Sequence, residues 1–343
     1  MGVMNRGASE APVTGPIVSV VLPTYNRLSR LRRVLAGLAA QTVADASLEV
    51  VVVSDGSTDG TDDYLASDRL PIAVHAIRQH NQGPAAARNA GVGVARGRLI
   101  LFLDDDVVPT PTLVQRHLDI HGREGPGVVV LGPMLTPADH VMSPWVAYEQ
   151  AMLDKQYEAM RAGAWEPTAR QFYTGNASVE RHHVVAAGGF DTAFSRAEDV
   201  ELAYRLAARG LRFVFDPEAV GHHYAERPYE SWRRTPYLYG RNDVIFTRDR
   251  GQAWLLPQIR REFSDHHRLI RLTTTAAVGR PLLRQVLVRS CELIARTTAG
   301  RVRRAALSAV YNVMYYQGIT DELRSSRWLT GRDSRDAVTA GLS

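Results

Sequence analysis

Two hydrophobic periods alternate along the first hundred residues. Residues 17–22, Ile-Val-Ser-Val-Val-Leu, form a short β-branched run closed by Pro23. A continuous apolar run of this kind suits a strand covered on both faces. Leu28, Leu31, Val34, Leu35 and Leu38 then recur at helical spacing and predict a helix over 28–40. Residues 48–53 read as a second buried strand, followed by the turn-rich segment 54–60. Asp59 or Thr61 can cap a short helix near 61–66, and 72–77 reads as a third strand. Pro84 opens a helix spanning Gly83 to Val94. A fourth strand, 98–103, runs straight into Asp104-Asp105-Asp106.

This β-α-β-α order predicts an open, mostly parallel α/β sheet flanked by helices. Ligands of such sheets sit beyond the carboxyl ends of the strands. The polar clusters at 23–27, 54–59 and 104–106 all fall at such ends. Farther along, 127–131 is strand-like and 144–161 helix-like, within a stretch from 110 to 170 whose pattern is weak. A helix over 198–209 follows Gly188-Gly189, and short strands are expected at 212–215 and 218–221. From about 245 the character changes. Pro281 precedes an amphipathic helix, 282–298, with Leu283, Val286, Leu287, Cys291 and Ile294 at helical spacing and Arg284, Arg289 and Arg296 elsewhere.

Composition sharpens this division. With 343 residues, 45% hydrophobic and 22% charged, the chain suits one large or two modest domains. The single cysteine, Cys291, excludes an internal disulfide framework and a Cys-rich zinc site, and is expected to act as a small apolar residue. No apolar run reaches the length of a membrane span, and Met1 to Pro16 lacks the apolar core of a secretory signal, which predicts a cytoplasmic protein. Lys155 is the one lysine, a usage typical of a GC-rich bacterial genome. The net charge of +5 is uneven: residues 251–343 hold 15 Arg against seven Asp plus Glu, while the preceding 250 residues are mildly acidic. The basic character belongs to the tail, so no nucleic-acid partner is expected. Three regions follow: 1–16, a flexible N-terminus; 17–245, the α/β region; and 246–343, a basic, mostly helical C-terminal extension.

The Asp104-Asp105-Asp106 triplet carries the clearest chemistry. Three adjacent carboxylates repel one another unless a cation joins them. Mg2+ or Mn2+ typically takes one or two carboxylates and completes its shell with substrate phosphates. The plainer reading is a charged loop that caps the next element.

The wider constellation resembles the family 2 glycosyltransferases, inverting enzymes of the GT-A fold. The matching stretches are 18–27, 52–61, 81–89 (Asn-Gln-Gly-Pro-Ala-Ala-Ala-Arg-Asn), 102–106, Gly188-Gly189-Phe190-Asp191 and Glu198-Asp199-Val200-Glu201-Leu202. The resemblance covers about residues 17–245. It implies that Pro23, Thr24, Tyr25, Arg27 and Arg88 line a nucleotide pocket, with Tyr25 stacking on the base. It implies that Asp55 reads the nucleobase edge, Ser54 standing where the family often has a second Asp. Asp104 and Asp106 match the ends of the family's Asp-x-Asp motif, with Asp106 touching the metal and Asp104 and Asp105 nearer the ribose or a metal-bound water. His222, or else His223, matches a further metal ligand, and Gly175, Asn176 and Trp232 fall where donor or acceptor sugars bind. Asp199, with Glu198 as runner-up, matches the catalytic base.

The resemblance therefore implies an inverting transferase that uses a nucleoside diphosphate sugar, a UDP- or dTDP-sugar first, a divalent cation, and a hydroxyl acceptor such as a lipid-linked sugar or a glycan. A nucleotidyltransferase or phosphate hydrolase on a similar sheet would explain the aspartates but not Glu198-Asp199. A non-catalytic protein acting through its tail is the third reading. The 282–298 helix either packs on the catalytic domain or lies against the inner face of a membrane. Gly91, Gly93 and Gly97 imitate a dinucleotide fingerprint, but they end a helix instead of opening one.

Overall fold

In a computed structural model of the chain, residues 17–44, 47–325 and 328 are described; the N-terminal region 1–16 and the end of the C-terminal extension lie outside them. They divide into two compact units that interleave along the sequence. The first takes the described residues up to Gly132, with Thr174–Gly189 and Gly210–Gly221. The second takes Pro133–Tyr173, Phe190–Arg209 and the described residues from His222 onward.

The first unit begins with β1 (Val18–Thr24), α1 (Leu28–Ala39), β2 (Leu48–Asp55), α2 (Thr61–Leu65), β3 (Val74–Gln79), α3 (Pro84–Val94) and β4 (Leu99–Leu103). It continues with β5 (Val107–Pro109), α4 (Leu113–Glu124) and β6 (Val128–Leu131). After β7 (Met134–Leu135) and α5 (Pro144–Arg161) of the second unit, it resumes with β8 (Asn176–Glu180) and α6 (Arg181–Ala186). The second unit adds α7 (Glu198–Ala208) before the first closes with β9 (Arg212–Phe215).

Seven strands of the first unit form one sheet in the order β3-β2-β1-β4-β8-β6-β9. β1 pairs in parallel with β2 and β4, and β2 with β3, as the alternating pattern predicts. β8 runs antiparallel between β4 and β6. The central strands are buried on both faces, which explains their unbroken apolar runs. α3 is rich in Ala and Gly because it lies close on the sheet. A Cβ on Gly91 would meet Val21 Cγ1 at 2.5 Å. Two glycines of the imitation fingerprint, Gly91 and Gly97, are thus packing requirements, whereas a Cβ on Gly93 would meet nothing within 4 Å.

Two expectations shift. The strand expected at 218–221 is a turn, and β10 covers Gly221–His223. Asp216 forces the turn: its Oδ1 accepts the Glu218 N–H and its carbonyl accepts that of Ala219. α4 lies in the weakly patterned stretch. His117 and His121 occupy its buried face beside Leu113, Val114 and Ile120, so the apolar stripe is broken by imidazoles.

The second unit is helical. It ends with α8 (Tyr229–Asp249), α9 (Leu255–Asp265), α10 (Arg268–Ala277), α11 (Pro281–Thr297) and α12 (Gly300–Leu323). Trp145, Tyr229, Trp232, Val288, Leu307 and Val310 share one core from α5, α8, α11 and α12. α8 and α12 approach at Gly240 and Gly318. A Cβ on either would meet a carbonyl oxygen of the facing helix, Tyr315 or Tyr237, at 2.0 Å. No described helix is long and apolar enough to cross a membrane.

Candidate active site

The order β2-β1-β4 brings three carboxyl ends side by side in the first unit. Their loops interlock. Asn26 adopts a left-handed backbone, φ 53°, a region where Asn is favoured. Its Oδ1 accepts the Thr58 N–H at 2.7 Å, and its own N–H donates to Ser57 Oγ at 3.1 Å. Asp59 accepts the Leu28 N–H at 2.9 Å, seating the start of α1. The turn after β1 is therefore fixed to the loop after β2, with Tyr25 left 48% exposed.

Arg27 leaves this turn and donates to Asp105 at 2.8 Å and to Asp106 at 3.0 Å. Arg30, one helical turn on, also reaches Asp106 at 3.0 Å. Thr24 Oγ1 donates to the second Asp105 oxygen at 2.8 Å. Arg88, buried on α3, donates to Asp104 at 2.7 Å. Three carboxylates thus face three guanidinium groups. Burial pushes the Asp105 carboxyl up to about 6, with Arg27 opposing the rise and Asp106 adding to it. Burial alone would lower the Arg27 pKa, but Asp105 and Asp106 outweigh it and raise it. The aspartates offer hard oxygen donors of the kind Mg2+ and Mn2+ prefer.

Asp55 is buried and well occupied. Oδ1 accepts from Gln79 Nε2 at 2.7 Å and from the Gln82 N–H at 2.9 Å, and Oδ2 accepts the Gly83 N–H at 2.9 Å. Three of about four acceptor directions are used, all to hold the segment that leads into α3.

Asn176, expected at a sugar, is also buried. Its Nδ2 donates to the Ala219 carbonyl at 2.7 Å, so Oδ1 faces His117 Nε2 at 3.0 Å. His117 therefore donates from Nε2 and accepts the Ser178 hydroxyl proton at Nδ1, 2.8 Å away, while His121 Nε2 donates to Ser178 Oγ at 2.9 Å. Burial lowers the imidazole pKa values to about 4 for His117 and about 3 for His121. Gly175 is buried beside this chain.

A separate group in the same unit joins Glu180, His182 and His183, whose ligand atoms lie within 4.8 Å of one another. Arg98 holds the same carboxylate at 2.6 Å, so the group reads as an ion-pair cluster.

In the second unit, Glu198 and Asp199 open α7 with Glu201, where the helix dipole favours carboxylates. Asp199 Oδ1 accepts the Val200 N–H at 2.8 Å. Two half-buried phenols feel the charge at this end. Burial, and then the Asp199 charge, push Tyr173 up to about 12, and Tyr239 is raised by burial, Glu149 and Asp199. His222 and His223 sit half-buried on β10. Trp232 is 1% exposed and edge-on to Tyr148, so its ring belongs to the core.

Sequence reasoning missed Arg30, Asn26, Gln79, Tyr173 and Tyr239. Arg30 had a signal, its i,i+3 spacing from Arg27; the tyrosines had none, because only the tertiary fold brings them within reach of the Asp199 charge.

Comparison with known proteins gives a consistent result. Residues 19–177 match the family model "Glycosyl transferase family 2", and 99–317 match "Glycosyl transferase family group 2". A validoxylamine A glucosyltransferase of Streptomyces hygroscopicus subsp. limoneus is 34% identical over 253 residues, 65% of this chain and 55% of that protein. A pre-mycofactocin glycosyltransferase of Mycobacterium tuberculosis is 29% identical over 239 residues, 68% of this chain and 48% of that one. The chain spans about half the length of these relatives. A mannosyltransferase from Pyrobaculum calidifontis, solved with GDP-Man and Mn2+, shares the fold with TM-score 0.60 and 21% identity, covering 90% of this chain and 88% of its own. S. aureus TarS 1–349 with UDP shares it with TM-score 0.53 and 18% identity, covering 93% of each.

Proposed function

The chain belongs to glycosyl transferase family group 2, and from that membership we propose that it moves a sugar from a nucleoside diphosphate sugar to an acceptor hydroxyl, with inversion and with a divalent cation. The observation that carries this reading is the meeting of Asp104, Asp105 and Asp106 with Arg27, Arg30 and Arg88 beyond β1, β2 and β4. A diphosphate needs such a balance: carboxylates to share a cation, and guanidinium groups to bond phosphate oxygens.

The exposed ring of Tyr25 suits stacking on a nucleobase, and the acceptor direction left on Asp55 suits a base N–H. The two solved structures that share the fold hold GDP-Man and UDP. The reading for this chain is a UDP- or dTDP-sugar. The oxygen donors fit Mg2+ or Mn2+, which Asp106 and Asp104 would hold, with His222 as an imidazole ligand. When bound, the cation neutralises charge on the departing diphosphate.

Asp199 is the proposed base. Its carboxylate takes the proton of the acceptor hydroxyl as that oxygen bonds to the anomeric carbon. The bond from that carbon to the diphosphate oxygen breaks in the same displacement, and nucleoside diphosphate leaves. The Val200 N–H at the N-terminus of α7 holds the carboxylate in place.

Thermal shifts with nucleoside diphosphates, each with and without Mn2+, test the donor assignment. One at 100 times its dissociation constant should add about 2.7 kcal/mol. Absence of any shift defeats the reading, and release of pyrophosphate in place of nucleoside diphosphate would make the enzyme a nucleotidyltransferase.

A further inference from the structure

The apolar stripe of α11 does not point into the core. Val288 and Ala295 are its buried residues, while Leu282, Val286 and Leu293 are each more than half exposed. At about 100° per residue these three lie within about 40° of one another, on one line along the helix. Leu269 and Leu272 on α10 and Val302 on α12 are more than half exposed as well. Isolated exposed leucines are ordinary; a concentration in three consecutive helices is not.

The charge around these side chains is one-sided. Residues 268–304 contain nine Arg and a single acidic residue, Glu292. Glu292 is taken by Arg296 at 2.9 Å. Arg268, Arg271, Arg280, Arg289, Arg301 and Arg304 are exposed, and among the described residues none has a carboxylate partner. Elsewhere in the same unit, Arg205, Arg227, Arg233 and Arg241 each pair with an acid.

We propose that the α10–α11 face docks on an anionic lipid surface. Leucine and valine side chains enter the boundary of the acyl chains while guanidinium groups without a carboxylate partner bond lipid phosphates, the arrangement of a helix lying in the interface plane. Nucleic acid would use the arginines but leave the leucines in water. No described helix is long and apolar enough to span, so this contact is peripheral. The inference is independent of the transfer reaction.

The test is co-sedimentation of the full chain with vesicles of phosphatidylglycerol and phosphatidylcholine, or of phosphatidylcholine alone. Binding should require the anionic lipid and weaken with salt. A Leu282→Glu, Val286→Glu, Leu293→Glu variant should lose roughly tenfold or more in partition while its circular dichroism and Tm stay unchanged. An independent variant, Arg268→Gln, Arg271→Gln, Arg289→Gln, should bind less at low salt and converge on the parent at high salt. Equal binding to both vesicle types, or a leucine variant that binds like the parent, overturns the proposal. So does self-association of the parent in light scattering, abolished in the leucine variant, without vesicle binding; the face would then join two copies of the chain.

Discussion

The two acidic clusters, one in each unit, differ in what surrounds them. Asp104, Asp105 and Asp106 face guanidinium groups from α1 and α3. Asp199 instead lies near half-buried phenols whose pKa values its charge raises. On the proposed function the difference separates two jobs. A carboxylate that positions phosphate and cation is neutralised in advance and held at fixed distance. A carboxylate that takes a proton has to stay basic, and a bonded arginine would lower its affinity for that proton.

Exchanging charge for an isosteric amide at each cluster is the strongest way to break this comparison. Asp199→Asn should lower kcat by about 10²–10⁴-fold while the donor dissociation constant, measured by calorimetry, stays within a few-fold. Turnover near normal would remove Asp199 from the role of base. Asp105→Asn should show the opposite signature. It loses a charged hydrogen bond to Arg27, so donor affinity should fall about 10- to 100-fold, with a smaller change in kcat. If both variants lose only kcat, the division of roles is wrong.

Stability gives two smaller tests, both in the sheet unit. His117 and His121 are neutral when folded, with pKa values lowered to about 4 and about 3, against an ordinary value of 6.5. The unfolded chain therefore binds protons that the folded chain refuses. Stability is full above pH 6.5 and should fall on acidification by up to about 1.4 kcal/mol per pH unit for each imidazole, until the folded values are reached. Denaturant midpoints at pH 7 and pH 5 measure the loss, and His117→Gln should flatten its pH dependence. Gly91→Ala should cost about 1–3 kcal/mol, because its methyl meets Val21 at 2.5 Å in the sheet core. An unchanged Tm would mean that α3 shifts freely on the sheet.

Much of the fold was legible because local periodicity states it. The strands at 18–24, 48–55 and 99–103 announce themselves as β-branched runs, and Leu31, Val34, Leu35 and Leu38 mark the inner face of α1. α4 was not legible, since His117 and His121 stand where apolar residues are expected. Arg88 illustrates the same limit at the site. An arginine on an Ala-rich helix can as easily face solvent, and only the packing of α3 buries it against Asp104.

By itself the sequence determined the order of strands and helices through residue 103, the polar clusters at strand ends, and the uneven distribution of charge. These follow from the side-chain periods of 2 and 3.6 and from turn chemistry, which act between neighbours in the chain. Tertiary structure alone decided the insertion of β8 antiparallel between β4 and β6, and which arginine meets which aspartate. It also turned Asp55 toward the 79–83 segment and the leucines of α11 toward solvent. Those outcomes depend on register and packing between residues tens of positions apart, where the sequence pattern is the same whichever partner is chosen.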